Sequence, residues 1–433
     1  MSSINRRHLL AGLGAATGLV VAGAPPAPAL ARDAEVVRRP DGAVDWAAVR
    51  RLFRTEPGWT NLAMFYISSH PTPVRRAIEH LARQVDADPL AVSHGLSLPD
   101  GPTGWDRVRS SLADYIGGRA EEIAMTASTS VGLGVVYNGL VVKPGQEFLL
   151  TEEDHTSQRT AARLAAAKFG ASVRFTSLFR DVTTTTVREI TERLAAEIRP
   201  TTRVVGTTWV QSSTGLRSPI AEIAAVVRAA NEGRAPADRC LLVVDGVHGL
   251  AAIDADAARL GADVFVAGTH KWLFGPRGTG LVWVSPTAID QFRPTFISFV
   301  GSAGAAALSP GGFLAYEHAF ALPVAVALHQ EIGRPAVAAR IAELGDRARR
   351  GLRRIRRVRV HTPLAPELSA GITCFTVDGF TNQEVIDHAA HHHVRLSEST
   401  YSNTPPFVRI GTGVMNTPAE VDRALEVIAG LRR

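Results

Sequence analysis

Cysteine is nearly missing from this 433-residue chain, which has two, Cys240 and Cys374. Two thiols cannot supply the dense disulfide framework that staples small secreted domains. Cys240 precedes the run Leu241-Leu242-Val243-Val244, and Cys374 lies inside the apolar run Ile372 to Val377. In such places a cysteine behaves as a small buried hydrophobe, although one bridge between the two stays open. Internal repeats and low-complexity tracts are also absent, which removes solenoid and tract-like architectures. The apolar run near the N-terminus, Leu9 to about Gly23, falls short of the about 20 residues a membrane-spanning helix needs. Aromatics make up only 6% and are missing from the basic stretch Arg347 to Arg359. The net charge of +6 therefore reads as a solvated helix face there, and nucleic acid is not an expected partner.

What is present begins with a processing signal. Arg6 and Arg7 precede the apolar run, and Ala29-Leu30-Ala31 follows it as a small-x-small cleavage site. Adjacent arginines before a moderate apolar core resemble a bacterial twin-arginine signal. The expectation is a chain exported by the twin-arginine machinery, periplasmic or secreted, with residues 1–31 as signal and a mature start near Arg32. An uncleaved membrane anchor is the alternative; no stable membrane insertion is expected after processing.

Beyond residue 60, short β-rich runs alternate with amphipathic helical stretches. Strands are expected at Glu147–Thr151, Ser172–Thr176, Arg203–Val210, Leu241–Asp245, Val264–Ala267 and Gly280–Val284. Helices are expected between them at Ser157–Phe169, Thr186–Ile198, Pro219–Glu232 and Asp256–Leu260. This alternation predicts an α/β fold with a mixed, mostly parallel sheet covered on both faces. A long helical region from about Tyr316 to Ile355 follows. Strands at Arg357–His361, Ala370–Val377 and Phe407–Gly411 come next, with helices at Asn382–His391 and Pro418–Arg432. The organisation expected is an extension over 32–60, a large domain over 61–330 and a smaller α+β domain over 331–433.

In open α/β sheets, ligands collect outside the carboxyl ends of strands. Val243-Val244-Asp245-Gly246-Val247-His248-Gly249 places an acid at such an end. Ala267-Gly268-Thr269-His270-Lys271-Trp272 places a lysine at the next, 26 residues later, before the glycine-rich turn Gly275-Pro276-Arg277-Gly278-Thr279-Gly280. Alone, either residue would pass for a capped turn or a surface lysine. Together they resemble the class V aminotransferase family of fold-type I pyridoxal-phosphate enzymes, from about residue 60 to the C-terminus. The His-Lys-Trp-Leu-x-x-Pro-Arg-Gly stretch is most similar to its isopenicillin N epimerase-like members. The resemblance implies pyridoxal 5'-phosphate as cofactor, a large cofactor-binding domain and a homodimer. The chemistry agrees. A lysine amine must be neutral to attack the cofactor's aldehyde, and burial beside a cation would make Lys271 so. A carboxylate must hold the pyridine nitrogen protonated, which suits Asp245.

Other residues take roles by register with the family. Thr126-Ala127-Ser128-Thr129-Ser130-Val131 opens an apolar helical stretch, and a helix N-terminus is an anion site, although an ordinary cap would look the same. The resemblance puts Thr129, Ser130 and His270 on the cofactor phosphate. Relatives often carry a serine three before the lysine; here Gly268 stands there, and Thr269 is expected to supply the hydroxyl. His155 in Asp154-His155-Thr156-Ser157 matches the histidine that stacks on the ring, Ser212 replaces an asparagine against the ring hydroxyl, and His248 is placed near the ring. Arg409 in Phe407-Val408-Arg409-Ile410-Gly411 matches the arginine that grips a substrate α-carboxylate, as a planar guanidinium suits.

Two departures stand out. Where relatives show a Gly-Thr pair that reaches the partner's phosphate, this chain reads Pro310-Gly311-Gly312-Phe313 and then Tyr316-Glu317-His318. The loop that carries the nucleophilic cysteine of desulfurases reads Leu396-Ser397-Glu398-Ser399-Thr400-Tyr401, which argues against that activity. His388, His391, His392 and His393 sit at a helix end without acidic or cysteine companions, and no metal site is expected. The resemblance favours an epimerase-like enzyme acting at the Cα of an amino acid or of an amino-acid moiety. Alternatives are a C–S or C–C lyase, an aminotransferase, or, in another class, a non-catalytic secreted binding protein.

The twin-arginine route carries folded proteins, which suits an enzyme that captures its cofactor before export. Replacing Arg6 and Arg7 together by lysine should leave the precursor inside the cell with its signal intact, because a receptor reads the pair rather than bulk charge. Normal secretion of that variant, measured by immunoblot of cell fractions, would show that another route is used.

Overall fold

The computed structural model describes residues 38–93, 104–312 and 314–432. The expected signal segment 1–31 and Phe313 lie outside the described residues. Seven strands form the main sheet: β1 Ile123–Thr126, β2 Glu147–Thr151, β3 Ser172–Thr176, β4 Thr202–Thr208, β5 Leu241–Asp245, β6 Val264–Gly268 and β7 Gly280–Val284. Their order is β1-β7-β6-β5-β4-β2-β3. Only β7 runs antiparallel to its neighbours, β1 and β6; the other pairs are parallel. The mixed, mostly parallel α/β sheet is as expected.

The runs of Val and Leu in β5 and β6 have no polar alternation because both faces are covered. Leu241 and Val243 of β5 face one core with Leu133, Val136 and Ala162, while Leu242 and Val244 face the other with Ile223 and Val227. Burying each such aliphatic side chain contributes about 1.5–3 kcal/mol. Two helices begin at strand ends: α1 Thr129–Gly139, capped by the Ser128 hydroxyl, and α2 Thr156–Phe169, capped by the His155 ring.

Three expected elements differ. β4 ends at Thr208 because Val210 leaves the ladder to bridge Arg217. The expected helix at Asp256–Leu260 is a single 3-10 turn, Ala257–Arg259, since so short a segment closes too few hydrogen bonds to propagate. The long region after Tyr316 is two helices, α3 Tyr316–Ile332 and α4 Arg334–Arg353. The break falls at Gly333, whose φ of 100° leaves the helical region, and Pro335 is tolerated in the first turn of α4.

A second, antiparallel sheet has the order β10-β11-β9-β8, with β8 Val358–Val360, β9 Ile372–Val377, β10 Ser397–Glu398 and β11 Val408–Gly411. Both cysteines are free and buried. The N-terminal segment joins this part of the chain: Thr60–Asn61 pairs in parallel with Val394–Arg395. Arg50 grips Glu420 of the helix Pro418–Ala429 with bonds of 2.8 and 2.6 Å. The loop around Tyr401 returns to the main sheet, where its carbonyl accepts the Thr156 amide at 2.7 Å and the Thr156 hydroxyl at 3.0 Å.

The segment after Asn61 carries Phe65 into the crevice between the two sheets. Its ring is 5.8 Å from that of His248, 6.2 Å from that of Trp272 and 5.1 Å from the guanidinium of Arg409. Gly411 makes room for it, since a Cβ there would stand 1.9 Å from Phe65 Cδ1. Gly411→Ala should therefore push Phe65 off its seat and destabilise the chain by about 1–3 kcal/mol, read as a lower urea midpoint. An unchanged midpoint would mean that Phe65 can swing aside freely.

Candidate active site at the strand ends

The carboxyl ends of β4, β5 and β6 and the start of α1 converge on a cavity of about 300 Å³. Thr129, Ser130, His155, Ser212, Asp245, His248, His270 and Lys271 all line it. Sequence positions from 129 to 271 are thus gathered by one sheet edge, the crevice where α/β folds collect ligands.

Lys271 follows β6 directly, and its Nζ lies 2.9 Å from Nε2 of His248. Loss of water around the amine lowers its pKa to about 8; Asp245 pulls it upward and Arg409 presses it down. A fraction of the amine is consequently neutral near pH 7, where an exposed lysine would be almost wholly charged. Asp245 ends β5 and is buried, with one oxygen accepting the Val247 amide at 3.1 Å. Burial pushes its pKa up to about 6, against the pull of that amide and of Lys271. A cation set against this carboxylate would replace the missing solvent and restore its charge.

Across the cavity, the first turn of α1 offers N–H groups without helical partners. Thr129 Oγ1 accepts the Gly268 amide at 2.7 Å, which ties the helix start to the end of β6. Ser130 and Ser157 hydroxyls lie 2.7 Å apart and tie α1 to α2. As the cap of α2, His155 accepts the Ser157 amide on Nδ1 at 3.1 Å, so its proton sits on Nε2. Burial, with Lys271 and Arg409 nearby, lowers His155 to about 4; burial, Lys271 and Arg277 do the same for His270. Both rings are neutral donors at physiological pH.

Arg409 stands behind the lining, 3% exposed, with Nη1 donating to the Ser212 carbonyl at 3.3 Å. Its Nε has no partner, and among the described residues no carboxylate pairs with it. A buried guanidinium without a counter-charge is costly unless an anion completes it.

One expected residue is misplaced. Thr269 is fully buried and its hydroxyl bonds Thr279, at 2.5 Å to Oγ1 and 3.3 Å to the carbonyl, so it does not line the cavity. The chain turns back toward Thr279 at this residue, whereas Gly268 faces the site. A Cβ at Gly268 would stand 2.8 Å from the His270 ring and 3.1 Å from Thr129 Oγ1, so the histidine occupies the space a serine there would use. Sequence reasoning also missed Tyr66, Ser128 and Thr208, which line the cavity, and Asp154 behind them. Asp154 is wholly buried and accepts the Thr151 amide and the Thr208 hydroxyl, each at 2.7 Å. Its place directly before His155 was the available signal.

Comparison with known proteins bears on the family and the fold. The family model described as aminotransferase class-V matches residues 68–424. Isopenicillin N epimerase of Streptomyces clavuligerus is 27% identical over 408 residues, 89% of this chain and 98% of that protein. A probable cysteine desulfurase of Vibrio cholerae is 26% identical, covering 83% of this chain and 90% of its own. Among solved structures, a lysine-to-alanine mutant of C-DES with glycine covalently linked to its PLP cofactor superposes with a TM-score of 0.80. It is 23% identical and spans 88% of this chain and 99% of its own.

Burial also ties stability to pH. Asp245 and Asp154 titrate near 6 and 7 when folded, both raised chiefly by desolvation, against about 3.9 when unfolded. The folded chain then holds more protons than the unfolded one between about pH 4 and 7, so stability falls as pH rises through that window. Asp154→Asn keeps an acceptor for the Thr151 amide and removes the charge. The decline in urea midpoint between about pH 5 and 8 should shrink by the equivalent of on the order of 1–3 kcal/mol. A variant with the wild-type slope would show that Asp154 ionises without penalty.

Proposed function

The chain belongs to the aminotransferase class-V family of pyridoxal-phosphate enzymes, and on that footing we propose that it is epimerase-like, acting at the Cα of an amino acid or of an amino-acid moiety in a larger molecule. Its cofactor is pyridoxal 5'-phosphate. The residues present fit that group: a desolvated amine, a buried acid and a helix N-terminus surround one cavity.

In this reading Lys271 holds the cofactor and Asp245 faces its ring nitrogen. Thr129, Ser130 and His270 take the phosphate, with Ser128 beside them. His155 would stack on the ring, Ser212 would meet its hydroxyl, and His248 would lie near it. When bound, the cofactor supplies an electron sink that acidifies a substrate Cα proton. Arg409 would bind the substrate carboxylate, and the Lys271 amine is the near group that would take or return that proton.

The observation that carries the substrate class is the buried, unpaired Arg409 beside the lysine. Against thiol chemistry stands the loop before Arg409, Leu396 to Tyr401, which holds no cysteine. Cys374 is no substitute, because burial pushes its thiol up to about 12.

Incubation with an amino-acid library in deuterium oxide separates the readings. Deuterium at Cα with inversion and no product besides the epimer is the expected result; release of persulfide, of ammonia with a keto acid, or of a cleaved fragment would replace epimerase by lyase, and a keto acid formed without free ammonia would replace it by transaminase. No exchange and no product with any substrate, in a protein whose cofactor is bound, would favour the binding-protein alternative. With an accepted substrate, Arg409→Lys should lower kcat/KM about 30- to 1000-fold, the equivalent of about 2–4 kcal/mol, because lysine cannot make two parallel N–H···O bonds. Unchanged kinetics would mean that the substrate carboxylate binds elsewhere or is absent.

A further inference from the structure

Trp272 follows Lys271 in sequence, yet its indole turns away from the cavity and under the histidine that the lysine touches. Trp272 Nε1 lies 3.2 Å from Nδ1 of His248, and on the other side of the same ring Nε2 lies 2.9 Å from Nζ of Lys271. An indole N–H can only donate, so Nδ1 of His248 carries no proton. A neutral imidazole has one proton, which must then sit on Nε2. That N–H points at the lysine nitrogen, and only an unprotonated amine has a lone pair to receive it. An ammonium in the same place would set one donor against another.

We propose that Trp272 is a positioning residue that locks His248 in its Nε2–H form and so holds the Lys271 nitrogen as a neutral acceptor. The inference rests on the reading that Lys271 is the reactive amine. Packing keeps the relay in place. Trp272 is 2% exposed and His248 4%. Phe65 lies against both rings, and a Cβ at Gly371 would come within 2.7 Å of the indole. Protonating His248 to escape the arrangement is opposed first by burial and then by the Arg409 charge. The charged groups that act on Lys271 itself, Asp245 and Arg409, remain in every variant below.

The deciding measurement is long-range proton–nitrogen NMR of the full holoenzyme labelled with nitrogen-15 in histidine, the His248 signals being identified by their loss in His248→Gln. Wild type should show His248 with its proton on Nε2; a proton on Nδ1 would overturn the proposal without any further variant. Trp272→Phe keeps an aromatic ring and removes only the indole donor. It should give a mixture of the two tautomers. In the full chain freed of cofactor, the pH midpoint for modification of Lys271 by an amine-directed electrophile, located by peptide mapping, should rise by about one unit. That corresponds to about tenfold fewer neutral amines below the midpoint. A folded Trp272→Phe protein with the wild-type tautomer and midpoint would reduce Trp272 to packing and sink the proposal. Should borohydride reduction place the cofactor on another lysine, the reading of Lys271 would fail while the tautomer result stood on its own.

Discussion

Keeping water from the Lys271 amine is the condition on which the rest of the site depends. In solution a lysine is charged at neutral pH and cannot attack an aldehyde. The strands that end at the site are buried on both faces, and Phe65 and Trp272 pack against His248, the ring that meets the amine. The same loss of solvent raises Asp245 and Asp154 and lowers His155, His248 and His270. One physical cause thus sets the protonation of six groups, and it acts on acids and bases in opposite directions.

The result is a pocket whose histidines are neutral and whose arginine has no carboxylate partner among the described residues. Its carboxylates are only partly ionised near neutral pH, so its electrostatics invite anions at two places, the start of α1 and Arg409. Lys271 and Asp245 line the same cavity as the start of α1. A ligand with a phosphate at one end and a carboxylate at the other would satisfy both, and a cationic ring between them would meet Asp245. The proposed function assigns these two places to the cofactor phosphate and to a substrate carboxylate.

Much of this was legible in the sequence for a reason that can be stated. Parallel strands buried on both faces appear as unbroken apolar runs, so the ends of β5 and β6 were visible, and with them Asp245 and Lys271. The break between α3 and α4 was also written in the chain, as Gly333-Arg334-Pro335, although the surrounding helical periodicity masked it. Thr269 was misread because hydroxyl chemistry carries no direction; only the turn geometry shows that its oxygen meets Thr279. Phe65 could not be found, since its position is defined by contacts with residues 248, 272 and 409 and by nothing local. The direction of the Trp272 N–H is hidden for the same reason.

The pairing of Thr60–Asn61 with Val394–Arg395 also fixes an order of events. Residues 60 and 61 emerge early in synthesis and have no strand to join until residue 394 has been added. Phe65, carried by the same segment, packs against His248 and Trp272, and Arg409 comes later still. Contacts so distant along the chain close slowly, because the entropy of the intervening loop must be overcome first. The residues assigned to the cofactor, 128 to 271, precede that closure, whereas Arg409 follows it. A complete site, cofactor pocket and arginine together, is therefore a property of the finished polypeptide, and a truncated chain would carry the lysine without the arginine.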